Sequence, residues 1–320
     1  MIEAAIIADS ISPQGKRLTT FKLRYPKFIH GEFMTHRVIS RNASSSRAVP
    51  TAKLLEEVRN YDLQAKPVFW GANQKGMQAV EELSDVEGHP DGPRSEKFQA
   101  QREWTAAAHS AANHAEKLMK LGAHKQIVNR ILEPFSHINV VASATEWDNF
   151  FGLRLHKDAQ PEMRALAQRM WEARKASTPI QLQPGDWHLP FIASDEWDMI
   201  REELILDGPD VLKSAKKVSV ARCARVSYES FETGKRSTIE EDLALYDRLL
   251  GAQPLHASPA EHQATPDELT PGLEGPYGEW RIEHWQKRHE HGNFSGWRQF
   301  RKTLKGEACA PLPEGFTHGA

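Results

Sequence analysis

Met34 to Arg47 reads Met-Thr-His-Arg-Val-Ile-Ser-Arg-Asn-Ala-Ser-Ser-Ser-Arg. Three arginines, one histidine, one asparagine and four serines follow an apolar lead-in, and no hydrophobic period runs through the second half. A core segment would show such a period. Ser44, Ser45 and Ser46 offer hydroxyls and closely spaced backbone N–H groups, while Arg37, Arg41 and Arg47 offer planar forks suited to phosphate or an anionic ring edge. The chemistry points to a phosphorylated small molecule. The plain alternative is a solvated loop following a helix.

Upstream, residues 2–9 and 17–25 read as two strands joined by a turn at Ser12-Pro13-Gln14-Gly15. Pro26 then opens a helix whose apolar face is Phe28, Ile29, Phe33, Met34 and Val38, with His36 and Arg37 near its C-terminal end. Downstream, Thr51 caps a short helix through Arg59, and Asp85 to Arg94 reads as a mobile loop. Ser95 begins the strongest helix, with Trp104, Ala108, Ala111, Ala112, Ala115, Leu118 and Met119 at three- and four-residue intervals and Gly122 at its end. A helix over 123–132 stops before Pro134, a strand covers 137–145, and Pro161 opens a helix carrying Met163, Leu166, Met170 and Trp171. Further helices are expected at 195–206 and 210–226, and Ser237 with Glu240 as a capping box for one ending at Gly251.

Three motifs carry a resemblance. His36, Arg37, Ser40, Asn42, Ser45 and Arg47 fall in register on Arg-His-Arg-x-x-Ser-x-Asn-Glu-x-Ser-x-Arg, the signature of flavin-dependent thymidylate synthases. Thr35 stands at its first Arg and Ala43 at its Glu. Arg130 with Pro134, and Asn149 with Arg154, keep the spacings of a second family signature, with Ser143 and Thr145 where the family has Asn and Arg. The third is Arg222-Cys223-Ala224-Arg225-Val226-Ser227, followed by His256-Ala257-Ser258-Pro259-Ala260-Glu261-His262. Ser258, Pro259 and Glu261 also make a good N-cap, N1 and N3 set that would fix His256 before a helix start. The family places this third feature first, so the chain resembles a circularly permuted member. Permutation is cheap when the original termini lie close together at the surface.

The resemblance implies an α+β fold with a central antiparallel sheet flanked by helices. It also implies transfer of a one-carbon unit from methylene-tetrahydrofolate to C5 of a pyrimidine deoxynucleotide, as in dUMP to dTMP, with FAD as cofactor and NADPH as reductant. Carried over residue by residue, Arg154 would stabilise the electron-rich ring, and Ser44, Ser45, Ser46, Arg47 and Arg130 would hold the phosphate. His36, Arg37, Asn149, Ser227 and His256 would face the flavin. Hydroxymethylation, or a cytosine nucleotide as substrate, stays open. The family's sites between subunits imply a homo-oligomer, a tetramer by resemblance. The expected parts are 1–176 with the nucleotide and flavin motifs, 177–265 completing the same fold, and a basic aromatic tail over 266–320.

With 41 basic and 43 acidic residues among 320, the formal charge of −2 favours neither nucleic acid nor membrane, so an anion site must be local. Two cysteines, Cys223 and Cys309, suit a reducing compartment. Met1 to Ser10 carries Glu3 and Asp9 without a basic lead-in, and no apolar run approaches the roughly 18 residues of a membrane span. A cytoplasmic protein is expected. Two rivals remain. His256, His262, His284, His289 and His291 could hold a metal, though without a recognised ligand spacing, and no metal is assigned. The stretch Trp285 to Lys302 interleaves basic and aromatic residues, which suits single-stranded nucleic acid, but the favoured reading is an arm packed on another subunit. Cys223, between helix residues, reads as buried packing rather than a nucleophile.

Overall fold

The structure is a computed structural model that describes residues 1–86, 95–204, 209–226, 235, 237–252, 255–272 and 283–307. Ser227, Cys309 and most of the expected loop 85–94 lie outside the described residues. The fold is mixed α+β around a five-stranded sheet. β1 (Glu3–Ile11) and β2 (Arg17–Pro26) pair antiparallel, turning where Gly15 takes φ +75°, a conformation glycine adopts without a Cβ clash. β4 (His137–Ala144) pairs with β2 and with β3 (Ser40–Ala43), both antiparallel, and β5 (Ile180–Gln181) adds a short parallel edge to β1.

Side chains alternate along strands, so the two faces of β2 differ. Phe21, Leu23 and Tyr25 turn to one face and join Val140, Ala142 and Ala144 of β4 in the main core. α1 (His30–Phe33), α5 (Asp148–Arg154) and α6 (Pro161–Ala176) cover that face, contributing Phe33, Phe150, Leu166 and Met170. Each such side chain, fully buried, contributes about 1.5–3 kcal/mol. Lys22 and Arg24 emerge on the other face.

A second core joins α2 (Thr51–Arg59), α3 (Glu96–Lys120) and α4 (Lys125–Val128), which runs into a 3-10 turn over Asn129–Phe135. Alanines 108, 112 and 115 are fully buried and let α3 approach Leu54, Val58 and Leu132 closely. Ser95 caps α3 by accepting from Phe98 N–H at 3.2 Å. A third core packs α7 (Ser194–Glu203), α8 (Pro209–Arg225) and α9 (Ile239–Leu250) through Ile200, Val218 and Ile239. Among the described residues, no helix is long and apolar enough to cross a membrane.

Several local expectations are corrected. The helix after Pro26 ends at Phe33, and Met34 and Val38 are 43% and 51% exposed instead of joining its buried face. Ser40–Ala43 is a strand because β4 offers it a pairing edge, which propensity alone does not reveal. Pro50 precedes α2, and the Thr51 hydroxyl instead donates to Asn129 Oδ1 at 2.7 Å. The capping box of α9 is Thr238 with Glu241, one residue later than expected, because Ser237 donates to Asp242. Ser258 opens a 3-10 turn and makes no cap hydrogen bond.

The described tail packs on its own chain. Trp297 is fully buried and donates to Lys16 O at 3.0 Å; Gln299 donates to Ser40 Oγ at 3.2 Å; Ser295 N–H donates to Thr145 Oγ1 at 2.9 Å. Arg298 pairs with Glu290, while Arg301 and Lys302 pair with Glu307. The aromatic faces and charges that would suit single-stranded nucleic acid are thereby largely consumed, and the segment meets its own sheet where an arm for another subunit was expected.

Candidate functional site

The end of α1, the edge strand β3 and the C-terminus of α5 bring together the first group of motif residues. His36 is 8% exposed and stands edge-on to Phe150, with ring centroids 4.9 Å apart. Arg154, in the last turn of α5, donates from Nε to His36 Nε2 at 2.9 Å and from a terminal nitrogen to Thr35 Oγ1 at 3.3 Å. Burial, then the Arg154 and Arg41 charges, lower the His36 pKa below 6.5, so the ring is neutral with its proton on Nδ1 and its lone pair facing Arg154. The Thr35 hydroxyl donates to Glu32 O at 2.7 Å, which turns its oxygen toward Arg154. The residue replacing the family's first arginine thus orients a second one. Among the described residues, Arg154 has no carboxylate partner.

The second group gathers on Glu133. Its Oε1 accepts from Ser46 Oγ at 2.6 Å and Arg130 at 3.2 Å, and pairs with Lys27 Nζ at 2.7 Å. Burial opposes ionisation of Glu133, but the Lys27 and Ser46 hydrogen bonds outweigh it and hold its pKa below the ordinary value. Asn129, fully buried, staples the loop by donating to Ser46 O at 2.7 Å and Val49 O at 3.0 Å. The three serines are not equivalent. Ser44 N–H is spent on Asn139 O at 2.8 Å and its hydroxyl accepts from Asn139 N–H. Ser45 is exposed, and the Ser45 and Ser46 N–H groups find no acceptor among the described residues.

Arg37, Arg47, Asn149 and His256 are exposed, and their side chains make no hydrogen bond or ion pair among the described residues. Arg130 is reachable too, its side chain 59% exposed. Ser143 and Thr145 are occupied: Ser143 Oγ bonds to Thr20 at 2.6 Å and to His262 Nδ1 at 2.8 Å, and Thr145 accepts from Ser295. His188 and His262 flank this buried network with pKa values pushed down to about 3 by burial, so both stay neutral. Two participants, Glu133 and Lys27, were not anticipated. Glu133 lies three residues after Arg130, a spacing that pairs charges on a helical turn.

Cys223 is fully buried beside Gln263, and burial pushes its thiol pKa up, so it supplies no thiolate. Of the five histidines considered as ligands, His262 bonds to Ser143 and His291 to Asp267, and no group of three or more metal-ligating side chains forms among the described residues.

A family model described as thymidylate synthase complementing protein matches residues 11–180. Among solved structures, the UMP/dUMP methylase PolB from Streptomyces cacaoi, bound with 5-Br dUMP, is 18% identical. That alignment covers 54% of this chain and 90% of PolB with a TM-score of 0.40. Thymidylate Synthase X from Helicobacter pylori, with FAD and dUMP, is 17% identical over 49% of this chain and 67% of its own, with a TM-score of 0.32. No curated protein matches.

Proposed function

The chain belongs to the thymidylate synthase complementing protein family, whose model covers more than half of it, and on that premise we propose that it transfers a one-carbon unit from methylene-tetrahydrofolate to C5 of a pyrimidine deoxynucleotide. dUMP is the leading substrate, and methylation the leading outcome. The observation that carries the reading is Arg154: a guanidinium oriented by neutral His36 and by Thr35, with no carboxylate partner among the described residues. Such a group stabilises charge developing on a bound ring without reorganising. The buried thiol of Cys223 fits a route without a covalent cysteine adduct.

The phosphate would sit at the Ser45 and Ser46 N–H groups, which find no acceptor among the described residues, with Ser44 shaping the loop and Arg47 and Arg130 closing over it. Arg130 would exchange its single bond to Glu133 for the phosphate, while Lys27 keeps that carboxylate neutralised. Arg37, the residue after His36, and Asn149, the residue before the Phe150 that His36 packs on, are exposed and without a side-chain partner among the described residues, which suits the oxygen acceptors of FAD, and His256 is accessible for the same use. Ser143 and Thr145 do not contribute, so the flavin would be held by fewer contacts than the family pattern provides. Bound flavin supplies reducing power, with NADPH as its source. The elements after residue 180 are read as the family's displaced first part: His262 bonds to β4, and Asn42 of β3 donates to Cys223 O at 3.4 Å. The resembled family also makes a homo-oligomer with shared sites the proposed assembly.

A flavin titration tests the cofactor half. Purified protein should bind FAD with a perturbed absorbance spectrum, and a preparation that neither carries nor takes up FAD contradicts it. Arg47→Ala should raise the nucleotide KM about tenfold to a hundredfold, with little change in kcat, because it removes charge-assisted bonds to a non-reacting phosphate. Unchanged KM would remove Arg47 from the phosphate site.

The pH dependence follows from His36. Its folded pKa lies below the unfolded value, so the contact with Arg154 is fully present above 6.5 and is lost as pH falls through the lowered pKa. kcat/KM should fall on the acid side of 6.5. His36→Gln, which keeps an acceptor but does not titrate, should flatten that limb; an identical profile would exclude His36 as its source.

A further inference from the structure

The sheet face opposite the main core carries a cavity of about 500 Å³, roofed by α2 and bordered by Val226, the residue after α8. Strand register sets Ala5, Lys22 and Val141 in one row and Glu3, Arg24 and Asn139 in the next. Lys22 and Arg24 therefore point away from Phe21, Leu23 and Tyr25 and into this space. α2 adds Lys53 from above.

The charge balance is uneven. Glu57 is spent: it accepts from Arg24 at 2.8 Å, from His137 N–H at 3.0 Å and from His137 Nδ1 at 2.7 Å. Burial lowers the His137 pKa despite Glu57, so that ring is neutral. Arg24 uses one terminal nitrogen on Glu57 and keeps its remaining donors, while Lys22 and Lys53 have no carboxylate partner among the described residues. The other lining carboxylate, Glu3, is exposed at the rim. Ala5, Leu54 and Val226 supply apolar wall, and Val226 holds φ +61°, a backbone state that costs a β-branched residue on the order of 1–3 kcal/mol and concentrates at ligand-holding positions.

We propose that this cavity binds a phosphorylated small molecule with a flat apolar body, its dianionic head held by Lys22, Arg24 and Lys53. With Arg24 already paired to Glu57, a monocarboxylate would neutralise one of the two remaining lysines, whereas a dianionic phosphomonoester balances both and has further acceptor oxygens for the Arg24 donors left over. The volume suits a ligand of about mononucleotide size. The site is distinct from the phosphate site proposed on the serine loop: Arg47 and Arg130 do not line it, and Ser44 is its one serine of the three.

The test is calorimetric titration of the full chain with pyridoxine 5′-phosphate, a flat ring bearing a phosphomonoester. Lys22→Gln and Lys53→Gln remove solvent-reachable charges that have no carboxylate partner among the described residues, without touching the core, and each should weaken binding about tenfold. Inorganic phosphate should compete, and Arg47→Ala and Arg130→Ala should leave this binding unchanged. The proposal is overturned if the wild type does not bind the probe, if the lysine variants bind as tightly as the wild type, or if the loss follows Arg47 and Arg130 instead. The last result would assign the probe to the serine loop and leave that reading standing.

Discussion

Arg154→Ala should lower kcat/KM for the pyrimidine nucleotide by about 10²–10³-fold while the fold and FAD binding persist. The side chain is half-buried at the end of a helix, so truncation opens no core void. What it removes is a planar fork held by two acceptors, Nε2 of His36 and Oγ1 of Thr35. Those bonds fix the guanidinium before substrate arrives, and such fixed donors lower a barrier where charge develops in the transition state. Arg154→Lys keeps the charge but loses the fork, and should recover only part of the rate. Steady-state kinetics with a parallel flavin spectrum checks both variants. Full activity in Arg154→Ala would refute the assigned role, whereas loss of flavin together with activity would move Arg154 from the nucleotide to the cofactor.

Arg222→Met should destabilise the chain by about 3–5 kcal/mol, a fall in Tm on the order of 10 °C. Arg222 is 2% exposed and donates to Asp242 at 2.8 Å, to Glu196 at 2.6 Å and to Phe191 O at 2.8 Å. Glu196 and Asp242 are themselves buried, so removing the arginine takes the shared cation from two carboxylates in a medium that penalises buried charge. Asp242 keeps Arg225 and Ser237, which limits the loss. Thermal unfolding by circular dichroism reads the effect; a Tm close to the wild type would mean that the carboxylates reach water. The first arginine of the third motif thus locks α7, α8 and α9 together.

Where local signals were strong, the fold was legible in the sequence. β1 and β4 are short apolar-rich runs, β2 alternates through Phe21, Leu23 and Tyr25 after a Gly15 turn, and α3 and α6 follow the helical period with Ser95 and Pro161 at their starts. β3 was not legible, because Ser-Arg-Asn-Ala has little strand propensity and takes its form from the edge of β4. Nor was the packing of Trp297 against Lys16, a contact between opposite ends of the chain. Within the candidate site, the motif named His36 and Arg154 without revealing that they touch. It named Ser46 and Arg130 without the carboxylate that joins them, since Glu133 is not among the family residues used. Thr35 looked like a lost arginine, and its hydroxyl bond to Arg154 depends on a helix end more than a hundred residues away.

The most direct measurement is the mass of the nucleotide after incubating the protein with dUMP, methylene-tetrahydrofolate, FAD and NADPH, with dCMP in a parallel reaction. The account predicts a product heavier than dUMP by one CH₂ unit, formed only when folate and FAD are both present and absent with Arg154→Ala. Recovery of both nucleotides unchanged, from protein shown to bind FAD and dUMP, would contradict it.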